Sequence, residues 1–277
     1  MPVSSIAVAI VALALGGKVT PGVANAMPSP SFQAPIGFAG HLIVLDVMVN
    51  GKGPYKFGLD TGASGGARVS QQVAKDLDLP VVGQAEGIGL GPNKLSLPLV
   101  KASLTLGPIH FDDIQAAVHD IPTSSGQPVD GVLGFDLFKD YLLTIDYPNA
   151  TVSVAPGRLY SNERGVLVMM SPLGIPQIGG TIAGNSIIID IDSGSNGGFG
   201  LMKQYESELK FVSAPKPIGQ AVGAGGTVDV DAGTVDGDLA FGDQTLHDPV
   251  VSFLPLPGVA NLGSRVLSNY AITFDQA

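Results

Sequence analysis

The chain has 277 residues, 45 % of them apolar and 14 % charged, with a formal net charge of −10 and no cysteine. That excludes a disulfide framework and a thiolate metal site, and the acidic balance argues against a phosphate-rich partner such as nucleic acid. The 38 Gly and 21 Pro, scattered between short apolar runs, predict mostly β structure with little helix.

Residues 1–26 differ from everything after them. Ile6 to Leu15 is an apolar run too short to span a bilayer as a helix, and Ala24-Asn25-Ala26 offers small residues to a signal peptidase. We read this segment as a secretory signal cleaved before Met27, which implies a secreted or periplasmic protein. No Lys or Arg precedes Ile6, so an uncleaved anchor is the alternative. Residues 27–37 form a Pro-containing linker.

From Phe38 the pattern becomes strand, turn, strand. His41 to Val49 ends at Asn50-Gly51, a hairpin signal, and Tyr55 to Leu59 runs into Asp60-Thr61-Gly62 and the bend Ala63-Ser64-Gly65-Gly66. The plan recurs as Thr181 to Ala183, Gly184-Asn185, and Ser186 to Ile191 running into Asp192-Ser193-Gly194, with Ser195 next. Gln71 to Leu79 and Met202 to Phe211 are the best candidates for short helices. Leu142 to Val154 is expected as one strand that opens the hinge, Tyr147 to Arg158, between lobes.

Three landmarks repeat in the same order. The two acidic triplets are 132 residues apart, and Leu104-Thr105-Leu106-Gly107 matches Leu239-Ala240-Phe241-Gly242. The segment from Leu133-Gly134 to Asp146 aligns without a gap on that from Leu262-Gly263 to Asp275, with Leu, Gly, Tyr, Thr and the closing Asp identical. Duplication explains this order, so two homologous lobes are expected, at 38–156 and 157–277.

The chemistry follows from the residue types. Two carboxylates within hydrogen-bond reach cannot both ionise cheaply, so they share a proton. The ionised member then takes a proton from water while the protonated one polarises a carbonyl. Thr61 and Ser193 offer hydroxyls to fix the two loops, and Gly62 and Gly194 are expected to let the backbone come close, with φ values that a side chain resists. Ala63 and Ser195 differ after the triplets, so a hydroxyl beside only one carboxylate is expected.

These triplets, with Val132-Leu133-Gly134 and Asn261-Leu262-Gly263 downstream, resemble the aspartic peptidases of the retropepsin-like and pepsin-like clan, in a single-chain, two-lobed form. The resemblance covers residues 38–277. It implies an all-β, bilobal acid-protease-like fold with a cleft between barrel-like lobes, and an aspartic endopeptidase whose catalytic residues are Asp60 and Asp192. Loop support would come from Thr61, Gly62, Ala63, Ser193, Gly194 and Ser195. Neither metal nor cofactor is implied, and the expected partner is a peptide or protein substrate met by a monomer free of membrane once the signal is cleaved.

Three positions depart from the clan's pattern. Asp190 shares a strand face with Asp192, Asn261 replaces an apolar residue, and no Tyr occurs between Leu79 and Gly107, where the first flap should lie. Gly87 to Gly91 is the flap candidate, and Gly223 to Gly226 a turn or second flap. A non-catalytic peptide-binding protein on the same fold is therefore the alternative. A serine hydrolase using Ser64 in the Gly62 to Gly66 elbow, with His247 and Asp248 as partners, is the rival from another reaction class. Asp229, Asp231, Asp236 and Asp238 fit an exposed hairpin better than a calcium site.

Overall fold

The computed structural model describes residues 8–14, 30–121, 123, 126–160, 165–172 and 174–276. The first lobe is an eight-stranded sheet in the order Gly37–Ala39, Leu42–Val49, Lys52–Asp60, Gly131–Gly134, Ala67–Val69, Ile109–Val118, Leu95–Leu106, Val81–Gly87. A further pairing of Leu42–Val49 with Leu95–Leu106 curls it towards a barrel. Its core follows strand alternation: Ile43, Leu45, Val47, Val49, Phe57 and Leu59 are buried on the inner face. Each fully buried aliphatic or Phe side chain stabilises the fold by about 1.5–3 kcal/mol.

The second lobe repeats the order. Asn185–Ile191, Ala260–Leu262, Phe199–Met202, Val250–Leu254, Gly226–Val235 and Phe211–Gly223 follow one another as neighbours, just as Lys52–Asp60 through Val81–Gly87 do. The directions match as well: the triplet strand runs parallel to the Leu-Gly strand in both halves, and the next pairing is antiparallel in both. The middle landmark has the same role in each copy, a turn with Gly107 at φ 56° and Gly242 at φ 58°. In the second copy the long hairpin is broken at Asp236-Gly237 and Asp248-Pro249 into Asp238–Phe241 and Gln244–His247.

Six antiparallel strands join the lobes, in the order Val166–Met170, Val8–Ala14, Ala271–Asp275, Leu142–Asp146, Thr151–Ala155, Phe32–Pro35. At its centre the two repeat copies pair with each other, Leu143 with Phe274 and Ile145 with Ile272. Thr144 and Thr273, equivalent residues of the repeat, share a hydroxyl hydrogen bond of 2.9 Å there. One continuous apolar core runs through both lobes. Of the expected signal segment, residues 1–7 and 15–26 lie outside the described residues, and Val8–Ala14 is a strand of this joining sheet. No helix among the described residues is long and apolar enough to cross a membrane.

Several local expectations change. Leu142 to Val154 is two strands around a turn at Tyr147–Ala150, where Ala150 takes φ 50°. The helix expected over Met202 to Phe211 is a single 3-10 stretch, Lys203–Glu208, and the other ends at Asp76 after Ser70 caps it by accepting from the Val73 amide at 3.2 Å. The Asn50-Gly51 and Ala183-Gly184 turns both have two positive φ values, the geometry that the strand twist favours in two-residue hairpins.

Candidate active site

Both triplets sit where a strand ends beside its Leu-Gly strand: Asp60 is paired with Gly134, and the Asp192 amide donates to the Leu262 carbonyl at 3.0 Å. Their loops then lock across the lobe boundary. The Thr61 amide donates to Ser193 Oγ at 3.0 Å and the Ser193 amide to Thr61 Oγ1 at 3.0 Å. Thr61 Oγ1 donates on to the Ile191 carbonyl at 2.7 Å, and Ser193 Oγ to the Leu59 carbonyl at 3.0 Å. Both side chains are buried, and three polar groups from each lobe find partners on the other.

The lock brings Asp60 and Asp192 into side-chain hydrogen-bond reach of each other. A Cβ at Gly62 would overlap the Asp192 carboxyl group, and one at Gly194 would overlap that of Asp60. Neither glycine has a positive φ, so space for the opposite carboxylate, rather than backbone freedom, requires them. Burial first, then the neighbouring Asp192 charge, pushes the Asp60 carboxyl up to about 7, with the Arg68 guanidinium and the Gly62 amide acting in the other direction.

The two carboxylates are dressed differently. Asp192 Oδ1 accepts from the Gly194 and Ser195 amides at 2.9 and 3.0 Å, and its Oδ2 accepts from Asn261 Nδ2 at 2.7 Å. Asp60 Oδ1 is buried without a donor from the described chain. The expected hydroxyl at Ser195 goes elsewhere: Ser195 Oγ accepts from the Gly197 amide at 3.2 Å, and only the Ser195 backbone serves the carboxylate. Ala63 is buried, and its carbonyl accepts from the Phe135 amide at 3.2 Å, tying the first loop to its Leu-Gly segment.

Asp190 and Asn261, the two departures in the second copy, both have partners in the fold. Gln177 Nε2 donates to Asp190 Oδ1 at 2.7 Å, and burial, with the Asp192 charge, raises the Asp190 carboxyl to about 6. Two more groups come to the second loop unforeseen. His41 Nε2 meets the Gly194 carbonyl at 2.7 Å, and the Tyr147 hydroxyl is buried, its pKa raised by burial and then by the Asp192 charge. Phe38, His41, Tyr147, Asn196 and Arg265 line an open cavity of about 540 Å3 behind that loop.

Both flap candidates are hairpin tips, and they touch. The Asn93 amide donates to the Gly225 carbonyl at 3.0 Å, and the Gly225 amide to the Leu90 carbonyl at 2.8 Å. The tips thus add a contact between the lobes beyond the joining sheet and the locked loops. Gly91 and Gly225 leave no room for a side chain between the tips.

The serine-hydrolase constellation is not assembled. Ser64 lies in an exposed bend of the first lobe, whereas His247 Nδ1 meets Asp238 Oδ1 at 2.7 Å in an outer hairpin of the second. The clustered aspartates are likewise engaged separately, Asp229 with Gln220 and Asp231 with Lys203.

A family model described as aspartyl protease matches residues 45–137, a span that holds the first triplet and its Leu-Gly segment. That match covers about a third of the chain, and the second half repeats the loop and strand order of the first. Among solved structures, the chain is similar to a retropepsin-like aspartic protease from Rickettsia conorii, at 19 % identity over 48 % of this chain and 98 % of that one, with a TM-score of 0.33. It is also similar to an aspartic proteinase from Irpex lacteus, at 12 % identity over 90 % of this chain and 98 % of that one, with a TM-score of 0.48. No curated protein sequence matches.

Proposed function

We propose that this protein is an aspartic endopeptidase that cleaves peptide bonds with a water activated between Asp60 and Asp192. The observation that carries this reading is that each carboxyl group is seated against the other loop's glycine, which sets the two face to face. A buried pair of this kind holds one proton between its members over a broad pH range. The ionised member accepts a proton as the water attacks, and the protonated one donates to the carbonyl oxygen as charge builds there. That step needs neither a metal nor a covalent intermediate.

The paired flap tips and the two barrel-like lobes support an extended substrate, bound as an added strand with side-chain pockets on alternate faces. We take the protein to act as a monomer, because one chain supplies both carboxylates; a secreted or periplasmic setting rests only on the composition of residues 1–26, of which Val8–Ala14 is a strand of the joining sheet. The pair's upper titration step, near 7 at Asp60, favours a mildly acidic working range. Cleavage of a denatured protein by the purified chain, lost separately in Asp60→Asn and Asp192→Asn, tests the reading. A folded chain that binds peptides, yet cleaves none from pH 3 to 8, would make it a binding protein instead.

A further inference from the structure

The two half-sites are copies, yet they differ along one whole row of residues beneath the carboxylates. In the first lobe the row is Val44, Gly58 and Val132, three neighbours across adjacent strands. The equivalent row in the second lobe is Gln177, Asp190 and Asn261. Val132 is fully buried and apolar, so it gives Asp60 nothing. Asn261, in its place, gives Asp192 a donor at 2.7 Å.

We infer that Asn261 is a positioning residue that holds the dyad's negative charge on Asp192 and leaves the shared proton on Asp60. The donors are unequal: Asp192 takes two backbone amides and the Asn261 side chain, whereas Asp60 has the Gly62 amide and one buried oxygen that takes none. Hydrogen bonds to a carboxylate favour its charged form, so the charge settles where they converge. The inference rests on the peptidase reading only for its consequence, which is that Asp192 is the base and Asp60 the acid.

The rest of the row keeps Asn261 in this role. Asp190 is its register partner and would compete for the amide if it carried a free charge. Gln177 donates to Asp190 instead, and burial keeps that carboxyl protonated up to about pH 6. The other groups facing the pair do not reverse the order. The Arg68 guanidinium favours charge on Asp60, but burial and the Asp192 charge outweigh it. The Tyr147 hydroxyl stays neutral, and His41 Nε2 meets the Gly194 carbonyl.

The test is a carboxyl titration by NMR on protein labelled with 13C at aspartate carboxyls, the two steps being assigned through Asp60→Asn and Asp192→Asn. In the wild type the upper step belongs to Asp60. Asn261→Val, which restores the first lobe's residue, raises the lower step by about one pH unit and narrows the gap, the size expected from losing one charge-assisted hydrogen bond. The acid limb of the cleavage profile moves with it. Asn261→Ser, too short to reach the carboxylate, gives the same shift if the Val variant does not fold. An unchanged gap in either folded variant, or an upper step that belongs to Asp192, overturns the inference. Absence of cleavage in the wild type would count against the peptidase reading alone, since the titration needs no substrate.

Discussion

Replacing Thr61 by Val keeps the side chain's shape and removes its hydroxyl from the lock between the loops. Two bonds go: Thr61 Oγ1 to the Ile191 carbonyl, and the Ser193 amide to Thr61 Oγ1. Because the site is sealed from water, the orphaned carbonyl and amide cost about 1–3 kcal/mol each, and about 3 kcal/mol together is a reasonable centre. No cavity opens, so packing adds little. For a chain of this size, about 3 kcal/mol lowers Tm by about 6–12 °C. Thr61→Ser, which retains both bonds and loses one methyl group, should cost about 1 kcal/mol. Thermal or urea unfolding of the three proteins measures this. Cleavage measured beside it should fall more steeply for Val than for Ser, since misplacing a carboxylate by about 1 Å costs about 100-fold. If Thr61→Val is as stable as Thr61→Ser, the hydroxyl does not lock the lobes and the geometry of the pair loses its support.

Gly194→Ala puts a methyl group into the Asp60 carboxylate, so we expect cleavage to drop by at least about 100-fold while circular dichroism stays that of a β protein. Asp60 and Asp190 have folded-state values raised above the ordinary 3.8, to about 7 and about 6. The native state therefore holds their protons more tightly than the unfolded chain does, and each carboxyl costs stability as pH rises from about 4 to those values. Asp60→Asn should consequently gain stability relative to wild type between pH 4 and pH 7.5, and a Tm difference that is flat with pH would refute this. Gly91→Ala forces the flap tips apart at Gly225, and should raise KM more than it lowers kcat.

Much of the site was legible because its chemistry is local in sequence. The triplets, the Asn50-Gly51 turn and the repeated Leu-Gly segments each carry their geometry in a few residues, and duplication supplied the pairing between distant parts. The short helices Phe135–Phe138 and Ser264–Leu267 were not foreseen, since four residues are too few to display a helical period. At Gly62 and Gly194 the close approach was legible while the unusual φ is not found: the group that excludes a Cβ is a carboxyl from the other lobe, which no local pattern reveals. The same holds for Asn261. In the sequence it is only an exception to an apolar position; in the fold its register places it against Asp192. Ser195 shows the converse, a plausible donor whose hydroxyl is claimed by its own loop.

The most direct test of the central claim is the rate of peptide-bond cleavage by the wild type, Asp60→Asn and Asp192→Asn across pH 3 to 8. The account predicts wild-type cleavage that is strongest below neutral pH and declines as pH passes about 7, with each single variant reduced to background. Cleavage that survives in either variant, or that peaks above neutral pH, would contradict it.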